Sequence, residues 1–190
     1  MRPRSKNLAR AVIFDPVAQN LRATRYGLYE AGFRDIEGFS DISELQDRLA
    51  QGAMELLVAE AGDGGEIHRL VRALRKGNLS ENPFAVVFLT SWRSDARAVT
   101  DGLNCGADDI ILRPFSSVFI AARVRAAVEH RKRFIVTGDY MGPDRRGPAA
   151  GRMSIPGLRL FDPPNTLKAA VHGDRAALNE AAAAVEAFKL

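Results

Sequence analysis

Two hydrophobic rhythms take turns along the first two thirds of the chain. Short apolar runs, bounded by turn residues, alternate with stretches whose apolar positions recur every three or four residues, the spacing of one helix face. "ARAVIFDP" reads as a buried strand that ends at Asp15 and is stopped by Pro16. Val17, Leu21, Thr24, Leu28 and Ala31 then form a helical stripe closed by Gly32. "FRDIEGF" is a weaker strand. Asp41, with Glu44 three residues on, reads as the capping box of a helix carrying Ile42, Leu45 and Leu49 on one face. Leu56, Leu57 and Val58 make a third strand, and Ile67, Leu70, Val71 and Leu74 the next helix stripe. "NPFAVVFLTS" is the most apolar strand and has to be covered on both faces, the habit of the middle of a parallel sheet. "SDARAVTDGLNCG" predicts a short helix from near Ser94, and "ADDIILRPF" a fifth strand ended by Pro114. "SSVFIAARVRAAVEHRKR" predicts a fifth helix with Ile120, Val124 and Val128 inward.

Five strand-helix units in succession predict an α/β fold, a doubly wound five-stranded parallel sheet with helices on both faces. This domain is expected over residues 8–133. Residues 134–173 carry five prolines and five glycines between Phe134 and Asn165, and predict a basic linker rather than another sheet layer. From 174 to 190, "DRAALNEAAAAVEAFKL" recovers helix propensity. Its apolar surface is mostly methyl groups, so the helix is expected to dock on something rather than to build a core.

Composition narrows this little, with 46% hydrophobic and 26% charged residues. The longest apolar run, Phe84 to Leu89, is six residues, against about 20 for a membrane span. The basic start "MRPRSKNLAR" leads into too few apolar residues for a signal peptide. A single cysteine, Cys105, excludes an internal disulfide. A cytoplasmic location is expected. Charge is more informative, because it is local. Between His130 and Arg152 stand six basic residues, Arg131, Lys132, Arg133, Arg145, Arg146 and Arg152, against two acidic ones. That window accounts for the net +4, and the remainder balances at 21 basic and 21 acidic. It is either a candidate anion-binding surface or a solvated segment after a helix end.

Open parallel sheets gather function at the carboxyl ends of their strands. Those ends carry Asp15, Glu60, Thr90 and the Arg113-Pro114 pair, so two carboxylates, a hydroxyl and a cation converge on one small volume. "VIFDP", "LLVAE", "VVFLTS" and "GADDIILRPF", taken together, resemble the response-regulator receiver domain of two-component signalling, across roughly Leu8 to Arg133. The resemblance implies a flavodoxin-like topology and an acidic Mg²⁺ pocket starting at Asp15. It also implies a phosphoacceptor at the end of the third strand, a switch hydroxyl at Thr90 and a cation at the end of the fifth strand.

The chain departs from that pattern where the chemistry lies. The phosphoacceptor position, an aspartate in receivers, is Glu60, whose extra methylene displaces the oxygen; misplacement of that order can cost about 100-fold in rate. Pro16 replaces a second acid beside Asp15, so Mg²⁺, which wants several hard oxygens, is expected to bind weakly at best, and no other cofactor or metal is expected. Arg113 stands for the usual lysine, and Ile110 for the aromatic switch residue. Glu60 is therefore expected to pair with Arg113 and Thr90 as a stand-in for the phosphorylated side chain, in a non-enzymatic signalling protein. A residual phosphoacceptor is the competing reading of the same residues, and a plain buried ion pair would have the same geometry.

Other signals are weaker. "AGDGGE" lacks the spacing of a phosphate-binding loop. His68, His130 and His172 are too scattered for a metal site. Cys105 is expected to be packed, and Trp92 to be either an interaction anchor or a loop cover. "GDYMGPDRRG" resembles a short segment in the tails of receiver-like proteins. Two outputs are open: protein contact, through the fourth- and fifth-helix face, the last helix or a second copy; or a phosphorylated ligand, a cyclic dinucleotide or nucleic acid, held by the arginines.

Overall fold

The computed structural model describes residues 7–146 and 157–188. The elements alternate as expected: β1 (Arg10–Phe14), α1 (Ala18–Glu30), β2 (Asp35–Phe39), α2 (Ile42–Ala50), β3 (Leu56–Glu60), α3 (Glu66–Arg75), β4 (Val86–Ser91), α4 (Ala96–Asn104), β5 (Asp109–Leu112) and α5 (Ser117–Glu129). The strands form one parallel sheet in the order β2-β1-β3-β4-β5.

Strand alternation divides the apolar residues between two layers. Ile13, Leu56, Val58, Val86 and Phe88 face α1 and α5, where Leu28, Ile120, Val124 and Val128 are buried. Val12, Leu57, Ala59, Val87 and Leu89 face the other way, onto Leu45, Leu49, Ile67, Val71 and Leu74 of α2 and α3. β4 is buried at all six positions, which explains its unbroken apolar run. Asp41 caps α2, accepting from the backbone N–H of Ser43 and Glu44. α4 starts two residues later than its sequence suggests, because Asp95 is the residue whose carboxylate accepts from Ala98 N. Val17 falls outside the α1 stripe: it is the N-cap and lies exposed.

The described residues of 134–173 are not a linker. They form an antiparallel sheet, β7-β6-β8, from β6 (Phe134–Val136), β7 (Met141–Pro143) and β8 (Arg159–Phe161), followed by α6 (Thr166–Val171). The breakers do not prevent strands: Gly142 and Pro143 pair with Ile135 and Phe134 within this sheet. "TGDY" turns β6 into β7, with Tyr140 N donating to Thr137 Oγ1 and Thr137 N to Tyr140 O. Residues 147–156, which include Arg152, lie outside the described chain.

This extension closes the sheet at the amino ends of its strands. Leu8 N donates to Ala170 O at 2.8 Å, Asn82 Nδ2 to Thr166 Oγ1 at 3.0 Å, and Asn165 Nδ2 to Val128 O at 3.0 Å. Leu167 and Ala170 are buried in the α1/α5 core. The last helix, α7 (Arg175–Phe188), packs on α6 and brings Val185 and Phe188 to an aromatic cluster of Phe84, Phe134 and Phe161. It therefore docks on its own chain, at the end of the sheet away from the strands' carboxyl termini. The fit is close where the α4–β5 loop meets β7: a Cβ on Gly106, at φ +100°, would stand 2.8 Å from Met141 O.

Candidate functional site at the carboxyl ends of the strands

Parallel register assembles the site. Glu60 and Thr90 are partners across β3 and β4, Asp15 follows β1, and Arg113 follows β5 with its N–H on Ser91 O at 2.8 Å. Side chains that are far apart in sequence thus share one edge of the sheet.

Arg113 joins them. Its Nη2 donates to Asp15 Oδ2 at 2.7 Å and its Nε to Glu60 Oε2 at 3.1 Å. Both nitrogens also reach Thr90 Oγ1, at 3.1 and 3.2 Å, while Thr90 Oγ1 donates to Glu60 Oε2 at 2.8 Å. The threonine hydroxyl so uses its one proton toward the acid and its lone pairs toward the guanidinium. The other oxygen of Asp15 is held by Val17 N at 2.8 Å. The side chains of Asp15, Arg113 and Glu60 are 1%, 6% and 11% exposed, so the charges act on one another with little screening by water. The Arg113 guanidinium lies 4.9 Å from the centre of the Phe115 ring, a cation–π contact on its remaining face.

The contact expected between Glu60 and Arg113 is present, but the shortest bond of the guanidinium is to Asp15, which the sequence assigned to the acidic pocket alone. A long forked donor can span two strand-end acids, and that was the available signal. Ile110, which the resemblance sets at the switch position, is pinned under α4: a Cβ on Gly102 would stand 2.6 Å from its Cδ1. Trp92 is 61% exposed and so does not cover the site.

The residues present do not suit a divalent cation. Mg²⁺ takes about six oxygens in octahedral array. Here two carboxylates share a resident guanidinium, Pro16 supplies no side-chain oxygen, and no group of three or more His, Cys, Asp or Glu among the described residues is placed to hold a metal. An open cavity of about 380 Å³ lies beside Glu60, lined by Pro16, Ser40, Asp41 and Asp63 among others.

The basic window forms neither of the two surfaces it offered, a candidate anion-binding surface or a solvated segment, at Arg131 and Arg145, which bond inward. Arg131 is buried, donating to Phe84 O at 2.6 Å and pairing with Asp108 at 3.0 Å. Arg133 pairs with Asp162, Arg146 with Asp144, and Arg145 bonds Leu103 O and Ala107 O. Lys132 is exposed. Of these side chains, Arg145 ties the extension to the end of α4 and the loop after it, and Arg133 pairs with an acid of the extension. Arg75, missed in the sequence because it ends an ordinary helix stripe, donates to Gly106 O, Pro83 O, Ala85 O and Asp108 Oδ2 at 2.7–2.8 Å. The Phe134 ring lies against both guanidinium groups, 5.2 and 5.1 Å from its centre. Burial lowers the pKa of both arginines against the pull of Asp108, that of Arg131 to about 10.

Comparison with solved structures places this fold. A response regulator from Thermotoga maritima is 23% identical, with a TM-score of 0.57 over 64% of this chain and 99% of that one. The chemotaxis response regulator CheY4 of Vibrio cholerae is 14% identical, with a TM-score of 0.55 over 62% and 97%. HP1043, an orphan response regulator of H. pylori, is 18% identical, with a TM-score of 0.53 over 65% and 98%. No protein-family model matches the chain, and no curated protein matches it. The chain has the receiver-domain fold, flavodoxin-like in topology, with a C-terminal extension ending in a helix. No described helix is long and apolar enough to cross a membrane.

Proposed function

We propose that the protein is a receiver-like signalling module that acts through protein contact, without enzymatic activity and without phosphorylation in the ordinary way. Glu60 stands in for a phosphorylated side chain, engaging the hydroxyl of Thr90 and the cation of Arg113 that the receiver resemblance would aim at phosphoryl oxygens. The observation that carries this reading is the bond from Thr90 Oγ1 to Glu60 Oε2 at 2.8 Å, backed by Arg113 Nε at 3.1 Å. Phosphoryl transfer needs a carboxylate oxygen aimed in line with the leaving group. Oε2 of Glu60 accepts from both donors, which sets the direction of the carboxylate.

A protein partner is favoured by what lies beside that arrangement. Leu112 at the end of β5, Val118 and Phe119 at the start of α5, and Trp92 after β4 are exposed large hydrophobic residues. Such residues in proximity mark contact surfaces in soluble proteins. Leu112, Val118 and Phe119 belong to the β5 edge of the sheet and the helix that follows it, and Trp92 to the loop between β4 and α4. Incubation with acetyl phosphate and Mg²⁺, followed by intact-mass measurement, tests the reading. The expected result is an unchanged mass. A phosphoryl adduct on the wild type that disappears in Glu60→Gln overturns it.

A further inference from the structure

The geometry points to Arg113 as a built-in replacement for the divalent cation of a receiver site, a tethered counterion that holds Asp15 and Glu60 together and keeps metal out. The inference rests on the reading of Glu60 as a fixed carboxylate and adds how that site is held.

Two negative groups at neighbouring strand ends need a cation between them, or they repel in a poorly screened setting. A mobile ion would do this conditionally, by its concentration. Arg113 does it permanently. Its fork meets one acid through Nη2 and the other through Nε, at 2.7 and 3.1 Å, which are charge-assisted hydrogen bonds of ordinary length. The side chain cannot readily swing away, because its backbone N–H is tied to Ser91 O and its guanidinium is stacked on Phe115 and bonded to Thr90. A divalent ion placed between the same acids would sit next to a fixed positive charge. It would also find one Asp15 oxygen already accepting from Val17 N and no side-chain ligand at Pro16. The shape of this end of the molecule is therefore independent of divalent cations.

Substituting lysine separates a bridge from a mere charge. An ammonium is a point donor that reaches one acid where the guanidinium fork reaches two. Mn²⁺ is the probe, followed by its electron paramagnetic resonance signal and by calorimetry on the full chain. Wild type is expected to show no saturable binding at millimolar Mn²⁺. Arg113→Lys and Arg113→Met are expected to gain it, at least about tenfold tighter than wild type, and to lose it again when Glu60→Gln is added. Wild-type binding equal to that of the variants overturns the inference, as does a folded Arg113→Lys that gains nothing; should Arg113→Met fail to fold, Arg113→Lys and the wild-type titration still decide. Phosphoryl uptake would instead strike at the reading of Glu60, so the two failures are distinguishable.

Discussion

Two buried arginine clusters sit at opposite ends of the same sheet, and they are built in opposite ways. At the carboxyl ends one arginine serves two acids: Arg113 with Asp15 and Glu60. At the amino ends two arginines serve one acid: Arg75 and Arg131 with Asp108. The second cluster is anchored to main chain, with Arg75 donating to three backbone carbonyls, and it is roofed by Phe134 and the extension. In the first the guanidinium donates only to side chains, the one main-chain bond to its acids being Val17 N to Asp15, and it opens on a cavity beside Glu60. Backbone anchoring makes a cluster a fixed part of the fold. A side-chain cluster at strand ends holds a shape that a partner can read and that single substitutions can reset.

The largest expected effect tests the anchored end. Removing residues 134–190 uncovers Phe84, Val128 and the face that Leu167 and Ala170 fill, and is expected to abolish cooperative unfolding in urea. A folded, cooperative 1–133 fragment would show that the extension is dispensable and undo the contrast. Next, Arg75→Ala leaves Asp108 short of a partner and three buried carbonyls without a donor. A loss of about 3–5 kcal/mol is expected from denaturant midpoints at constant m-value. At the open end, Glu60→Gln keeps an acceptor for Thr90 and removes one of two negative charges around Arg113. Its cost is expected to be smaller, about 1 kcal/mol, with a measurable loss of partner binding once a partner is known. If Glu60→Gln destabilised as much as Arg75→Ala, the open end would be a structural ion pair like the other.

The smallest effect is a pH dependence. Burial of His68, with Arg72 nearby, lowers its pKa below the ordinary 6.5. As pH falls through 6.5 the unfolded chain takes up the proton before the native one, so stability declines there and levels off below the native pKa. The slope is expected to vanish in His68→Gln, as read from urea midpoints across pH 5–7.5 (a range of roughly one unit or more on either side of the ordinary value). A slope unchanged in the variant would assign it to another group.

Much of the domain was legible along the chain, because its elements obey one local rule. In β3, β4, α3 and α5 the hydrophobic period matches the buried face, and burial of those faces is what stabilises them. The extension broke that rule. Its strands are three residues long, too short to show a period, and one of them, β7, contains a glycine and a proline. What makes it a sheet is Phe84, Phe134, Phe161 and Phe188 meeting across more than a hundred residues of chain, with ring centres 4.6–6.1 Å apart.

The site divides in the same way. Strand ends and a parallel sheet were enough to bring Asp15, Glu60, Thr90 and Arg113 to one edge, and residue type was enough to set Glu60 against Arg113. Which acid takes the shorter bond, and which of the many arginines are drawn inward, depended on distances that no local pattern encodes. The sequence alone determined the layers of the domain and the chemistry at its strand ends, since both follow from periodicity and chain order. Tertiary structure alone decided that the tail closes the far end of the sheet and that Arg75 and Arg131 are buried beneath it, because the apolar side chains, carbonyls and carboxylate that hold them are gathered from separate elements.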